Sequence, residues 1–89
     1  MHQPYYVDPL RGAALMPWVR LHATKGYWDM VALVERYPEL RCTFNLTPVL
    51  VRQIRELADK RVRDIWQELA ATPAGDLTPQ MQTLVLEHF

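Results

Sequence analysis

The segment Leu40-Arg41-Cys42-Thr43-Phe44-Asn45-Leu46 constrains the fold more than any other. Leu40, Cys42, Phe44 and Leu46 alternate with polar residues, so a strand would carry all four on one face. Thr47-Pro48 follows, an N-cap residue and then proline at the first helical position. A strand leading through a cap into a helix is half of a βαβ unit and belongs to α/β architecture. No other segment shows so clear a period of two, and one strand cannot make a sheet. The strand over residues 40–46 is therefore expected to need partners that these 89 residues lack.

The remaining pattern is helical. Tyr27, Met30, Val31, Val34 and Tyr37 form one apolar stripe, with Thr24 as the expected N-cap and Pro38 as the stop. Pro48 to Ala58 is a second helix with Leu50, Ile54, Leu57 and Ala58 inward, interrupted at Asp59. Arg61 to Ala71 is expected to be helical again, with Val62, Ile65, Trp66 and Leu69 on one side. A linker over 72–77 leads to Thr78-Pro79 and a last helix carrying Met81, Leu84, Val85 and Phe89. Residues 1–26 are broken by Pro4, Pro9, Gly12, Pro17 and Gly26 and read as a long loop. Within it, Leu15 to His22 suits a short helix or an extended segment equally.

Composition excludes several classes. Hydrophobic residues make up 49% and charged residues 22%, which argues against disorder. Ten basic and ten acidic residues leave no net field to draw nucleic acid or an anionic membrane. The cluster Lys60-Arg61-Val62-Arg63 is flanked by Asp59 and Asp64 and reads as a solvated face. Cys42 is the single cysteine, so no intrachain disulfide forms. No apolar run approaches the roughly 20 residues of a membrane span.

The polar and aromatic groups gather at the start. His2 and Gln3 both donate and accept, as hydrogen bonding to sugar hydroxyls requires. Tyr5, Tyr6 and Trp18 offer flat faces for a sugar ring. A frayed N-terminus without a role explains the same residues. Trp18 and Trp28 suit a sugar subsite or packing, with packing favoured for Trp28 on its helix. Asn45 lies near the C-terminal end of the expected strand, where α/β folds present site residues, although a turn or cap would also use it. His22 reads as a structural hydrogen-bonding residue, because no HExxH or CxxC spacing supports a metal. Asp8, Asp29, Glu35 and Glu39 show no spacing that marks a catalytic pair.

Met1-His2-Gln3-Pro4-Tyr5-Tyr6 resembles the first signature region of glycoside hydrolase family 57. The resemblance continues through Leu15-Met16-Pro17-Trp18-Val19-Arg20-Leu21-His22-Ala23-Thr24-Lys25 and through Tyr37 to Pro48, and it touches Leu77-Thr78-Pro79 and Glu87-His88-Phe89. This family contains α-amylases, amylopullulanases, 4-α-glucanotransferases and branching enzymes. The resemblance implies the N-terminal portion of an incomplete (β/α)7 barrel, with residues 40–46 as its second strand and the apolar body of the first ahead of Met1. It implies that His2 and Gln3 close the first strand and face the sugar at the cleavage point and that Asn45 stands near the barrel mouth; Asn45 and, for its aromatic face, Trp18 are the further substrate-binding candidates. It implies a retaining mechanism with a glutamate nucleophile and an aspartate acid/base, both in signature regions outside this chain, and no metal or other cofactor. Gly26 departs from the family pattern, standing where an acidic residue is expected.

The expected partner is an α-glucan or oligosaccharide, with no nucleic acid and no membrane, and a cytoplasmic location is mildly favoured. Hydrolase and transferase, and α-1,4 and α-1,6 linkages, are not separated by the sequence. The competing reading is a small helical binding module complete at 89 residues. A zinc hydrolase built on His2 and His22 ranks below both.

Overall fold

The computed structural model describes residues 1–88. A hairpin comes first: β1 (Val7–Asp8) pairs antiparallel with β2 (Ala13–Ala14), with Val7 opposite Ala14. The Asp8 carboxylate accepts the Leu10 N–H, an Asx turn, and Gly12 closes the loop at φ +58°. β3 (Arg63–Asp64) then joins β2 in parallel, giving the sheet order β1-β2-β3. Val7, Ala14 and Val62 form its buried cluster, with Leu57 packed against them.

One continuous helical run follows the hairpin. It comprises α1 (Trp18–Leu21), a π-helical segment (His22–Tyr27) and α2 (Trp28–Glu35). The Thr24 hydroxyl donates to the Arg20 and Leu21 carbonyls inside this run, competing with the α-helical ladder where the wider turn begins. Thr24 is thus interior to the helix rather than its N-cap, and the long loop expected over 1–26 is replaced by a hairpin and a helix start. Pro17 precedes the first turn, where its missing N–H costs nothing.

α3 (Pro48–Ala58) has the bounds read from the sequence. Its inner face differs: Leu50 and Gln53 are buried, whereas Ala58 is exposed. α3 packs against α1, and Leu50 of α3 and Val19 of α1 are both buried. Lys60, at φ +56°, terminates it, and Arg61 and Val62 N–H groups both donate to the Glu56 carbonyl. α4 (Ile65–Ala71) starts four residues later than the periodicity suggests. The cause is Asp64, whose Oδ1 accepts the Trp66 and Gln67 N–H groups as an N-cap while its backbone belongs to β3. Its Oδ2 accepts Arg20 Nε, tying α1 to the sheet. After a 3-10 turn (Ala74–Asp76), α5 (Pro79–His88) begins with Thr78 Oγ1 accepting the Met81 N–H. The expected inward use of Phe89 lies outside the described residues.

Residues 40–46 do not form the expected strand. All seven are exposed and none is assigned to a sheet. The alternation of Leu40, Cys42, Phe44 and Leu46 has no layer to pack on, and the sheet that does form uses two-residue strands elsewhere. α2 likewise buries no residue. The Cα radius of gyration is 16.1 Å, against about 12 Å for a compact chain of this length. The α2 arm and the segment after it therefore leave a small core around α1, α3 and the sheet.

The Asp64 side chain is the joint in that core. Asp64→Ala is expected to speed amide exchange at Trp66 and Gln67 roughly tenfold through loss of the cap, while Asp64→Asn, which keeps an acceptor, is expected to preserve most of the protection. NMR hydrogen exchange checks this, and equal protection in all three proteins would remove Asp64 from that role.

Candidate functional site

The N-terminal segment is held at three points. Gln53, 1% exposed on the inner face of α3, donates from Nε2 to the Pro4 carbonyl at 2.7 Å and accepts the Tyr6 N–H on Oε1 at 2.9 Å. Its side-chain amide thus takes the place of a peptide group on a neighbouring strand. The Tyr6 carbonyl accepts the Leu15 N–H at 3.0 Å, which fixes the segment to the hairpin. Tyr5 turns outward, with its hydroxyl 3.3 Å from Glu56 Oε2 and the Arg52 guanidinium 5.0 Å from its ring centroid. Glu56 in turn hydrogen-bonds Arg52 at 2.8 Å, and this contact raises the guanidinium pKa further.

The third point is Met1. Its ammonium donates to the Asn45 carbonyl at 2.8 Å, and its carbonyl accepts the Thr47 N–H at 3.3 Å. One residue bonding j−1 and j+1 in this way is the pattern of a parallel ladder centred on Leu46. In that register Met1 lies opposite Leu46, so His2 and Gln3 run on past the end of residues 40–46. The N-terminus is anchored rather than frayed.

Gln3 is gripped from both sides. Its Nε2 donates to the Tyr27 hydroxyl at 3.1 Å, and its Oε1 accepts the Tyr6 hydroxyl at 3.3 Å. Tyr27 stacks on His22 with centroids 5.8 Å apart. These two are five residues apart, a spacing that a wide π turn brings to one side and an α-helix does not. The π segment therefore orients Tyr27 toward Gln3.

Of the four substrate-binding residues expected from the sequence, His2 and Gln3 are linked to Asn45 only through the backbone bonds of Met1. The His2 imidazole and the Asn45 side-chain amide are exposed and make no hydrogen bond among the described residues. Trp18 is 44% exposed at the start of α1, and no hydrogen bond or ring contact among the described residues joins it to the other three. Thr47 Oγ1 beside Asn45 is buried without a partner among the described residues, so Thr47 occupies the cap position without capping. Neither of two surface hollows, of about 460 and 760 Å³, is lined by His2, Gln3, Trp18 or Asn45. The site is an open lip. The sequence reading missed Gln53, although it falls within the stripe between Leu50 and Leu57 where an amide is out of place. It also assigned Tyr27 to packing alone.

The acidic groups with short polar contacts are committed elsewhere. Asp29 pairs with Lys25 at 3.0 Å, Asp8 with Arg11 at 3.5 Å, and Glu68 with Arg63, whose hydrogen bond holds the Glu68 carboxyl below its usual range. Among the described residues no three His, Cys, Asp or Glu side chains gather as metal ligands. No helix among the described residues is long and apolar enough to cross a membrane.

Gln53→Leu keeps the side chain's bulk but strands the Pro4 carbonyl and the Tyr6 N–H, at a cost of about 2 kcal/mol. The expected result is roughly 30-fold faster exchange of the Tyr6 amide with α5 amides unchanged; unchanged exchange at Tyr6 would contradict the clamp.

Comparison of the chain with protein-family models, with characterised proteins and with solved structures found no match.

Proposed function

We propose that this chain is an N-terminal part of the catalytic barrel of a retaining α-glucan-active glycoside hydrolase or transferase resembling glycoside hydrolase family 57. The observation that carries this reading is the parallel hydrogen-bond pattern between Met1 and residues 45–47. Two parallel segments ending side by side, with polar groups just past their ends, are what the mouth of an α/β barrel provides. The exposed alternation of Leu40, Cys42, Phe44 and Leu46 and the unburied α2 supply faces that the rest of a barrel would cover.

The roles divide by chemistry. The His2 imidazole and the Asn45 amide retain free hydrogen-bonding capacity for vicinal sugar hydroxyls. Gln3 is fixed by Tyr6 and Tyr27, which sets its orientation before a ligand arrives. Trp18 offers an aromatic face further along the chain. Double displacement needs a nucleophilic carboxylate and a second carboxyl group about 5–5.5 Å away. The family resemblance puts both carboxylates in signature regions outside this chain, and Asp8, Asp29, Glu56, Asp64 and Glu68 are engaged in ion pairs here.

The sheet formed by β1, β2 and β3 favours a second reading, a small helical interaction module with its own core. That reading predicts a sharp cooperative melt of the 89-residue chain. The barrel-fragment reading predicts a broad transition with dye-binding apolar surface.

Two measurements test the proposal together. The purified chain is expected to release no reducing sugar from soluble starch. Titration with a maltooligosaccharide is expected to shift NMR signals of His2, Gln3, Tyr27 and Asn45 at millimolar ligand. Starch hydrolysis by the chain alone would refute the assigned division of labour, and the absence of shifts at those residues would refute the sugar site.

A further inference from the structure

Away from the lip, a hollow of about 460 Å³ lies between α1, α3 and the turn leading to α4. Its volume falls within the range of small-molecule pockets. Val19, Ile54, Leu57 and Val62 supply apolar walls, and Val19 and Val62 are buried there. Five charged side chains also line it. Arg20 is paired with Asp64, and Arg63 with Glu68 through Nε at 2.7 Å and through Nη2. These four cancel. Lys60 is left at the edge without an ion pair among the described residues.

Among the described residues Lys60 is also the one non-glycine residue with a positive φ. It stands at φ +56°, the left-handed position of a Schellman cap. Its N–H donates to the Leu57 carbonyl at 3.1 Å, and the next N–H, from Arg61, donates to Glu56 at 2.9 Å. Glycine is the residue that adopts this conformation without steric cost. A lysine there places a cation beside the apolar walls at the expense of backbone ease, and an observed outlier of this kind points toward a use.

We propose that this hollow binds a soluble amphiphilic monocarboxylate, with the apolar tail against Val19, Ile54, Leu57 and Val62 and the carboxylate at the Lys60 ammonium. Arg20 adds donors on the same wall, because its described hydrogen bond uses only Nε. This site is independent of the sugar reading, since none of the lip residues lines it.

The test uses the whole chain and octanoate below its micelle concentration, with acetate and 1-octanol as controls for tail and charge. Calorimetry is expected to show saturable one-to-one binding of octanoate, weaker binding of octanol and none of acetate. Lys60→Gly relieves the backbone and removes the cation. It is expected to leave the far-UV spectrum and thermal unfolding unchanged, or shift unfolding upward, while weakening octanoate about tenfold. NMR shifts are expected at Val19, Ile54 and Val62. The proposal is overturned by absent saturation with octanoate, by equal affinity of the Lys60→Gly variant, or by shifts that fall outside the hollow.

Discussion

The side-chain amide of Gln53 is the interaction on which the arrangement of the N-terminal lip depends. A polar group buried on the inner face of a helix is costly unless each of its hydrogen-bonding atoms is matched. Here the match is the backbone of Pro4 and Tyr6. That pairing fixes where residues 1–6 run, and the remaining contacts follow: Tyr6 reaches Gln3, Gln3 reaches Tyr27, and Met1 reaches Asn45 and Thr47. Asp64 does the equivalent work at the other end of the core, serving a helix cap and Arg20 with one carboxylate. Two buried polar side chains thus give a small apolar core a specific arrangement.

Much of the fold was legible where a local rule and the packing agree. α3 keeps the bounds set by Thr47-Pro48 and Asp59, and α5 begins at the Thr78 cap. The misses have separate causes. Two-residue strands such as Val7–Asp8 and Ala13–Ala14 are too short to show a period. The helix from Trp18 is hidden because its middle is π-helical, and a 3.6-residue template loses phase across a wider turn. Asp64 was read as part of a charge cluster, although its value lies in capping α4.

The strand expectation for residues 40–46 shows what periodicity alone delivers. Alternation records which face would be buried, whereas strand formation requires a neighbour to complete the ladder. The described residues supply such a neighbour only at Leu46, through Met1. The barrel proposal gives one cause for this lone ladder step, for the exposed apolar face of residues 40–46 and for the unburied α2. The hollow beside Lys60 is a surface feature lined by none of the lip residues.

The most direct test of the account is residue-specific hydrogen exchange across 41–47. The parallel register places the Thr47 N–H on the Met1 carbonyl, so its exchange should be distinctly slower than that of Thr43, and an inter-residue NOE should connect Met1 with Leu46 or Thr47. Exchange at Thr47 as fast as at Thr43, with no such NOE, would show that the first residues are not docked there and would undo the site built upon them.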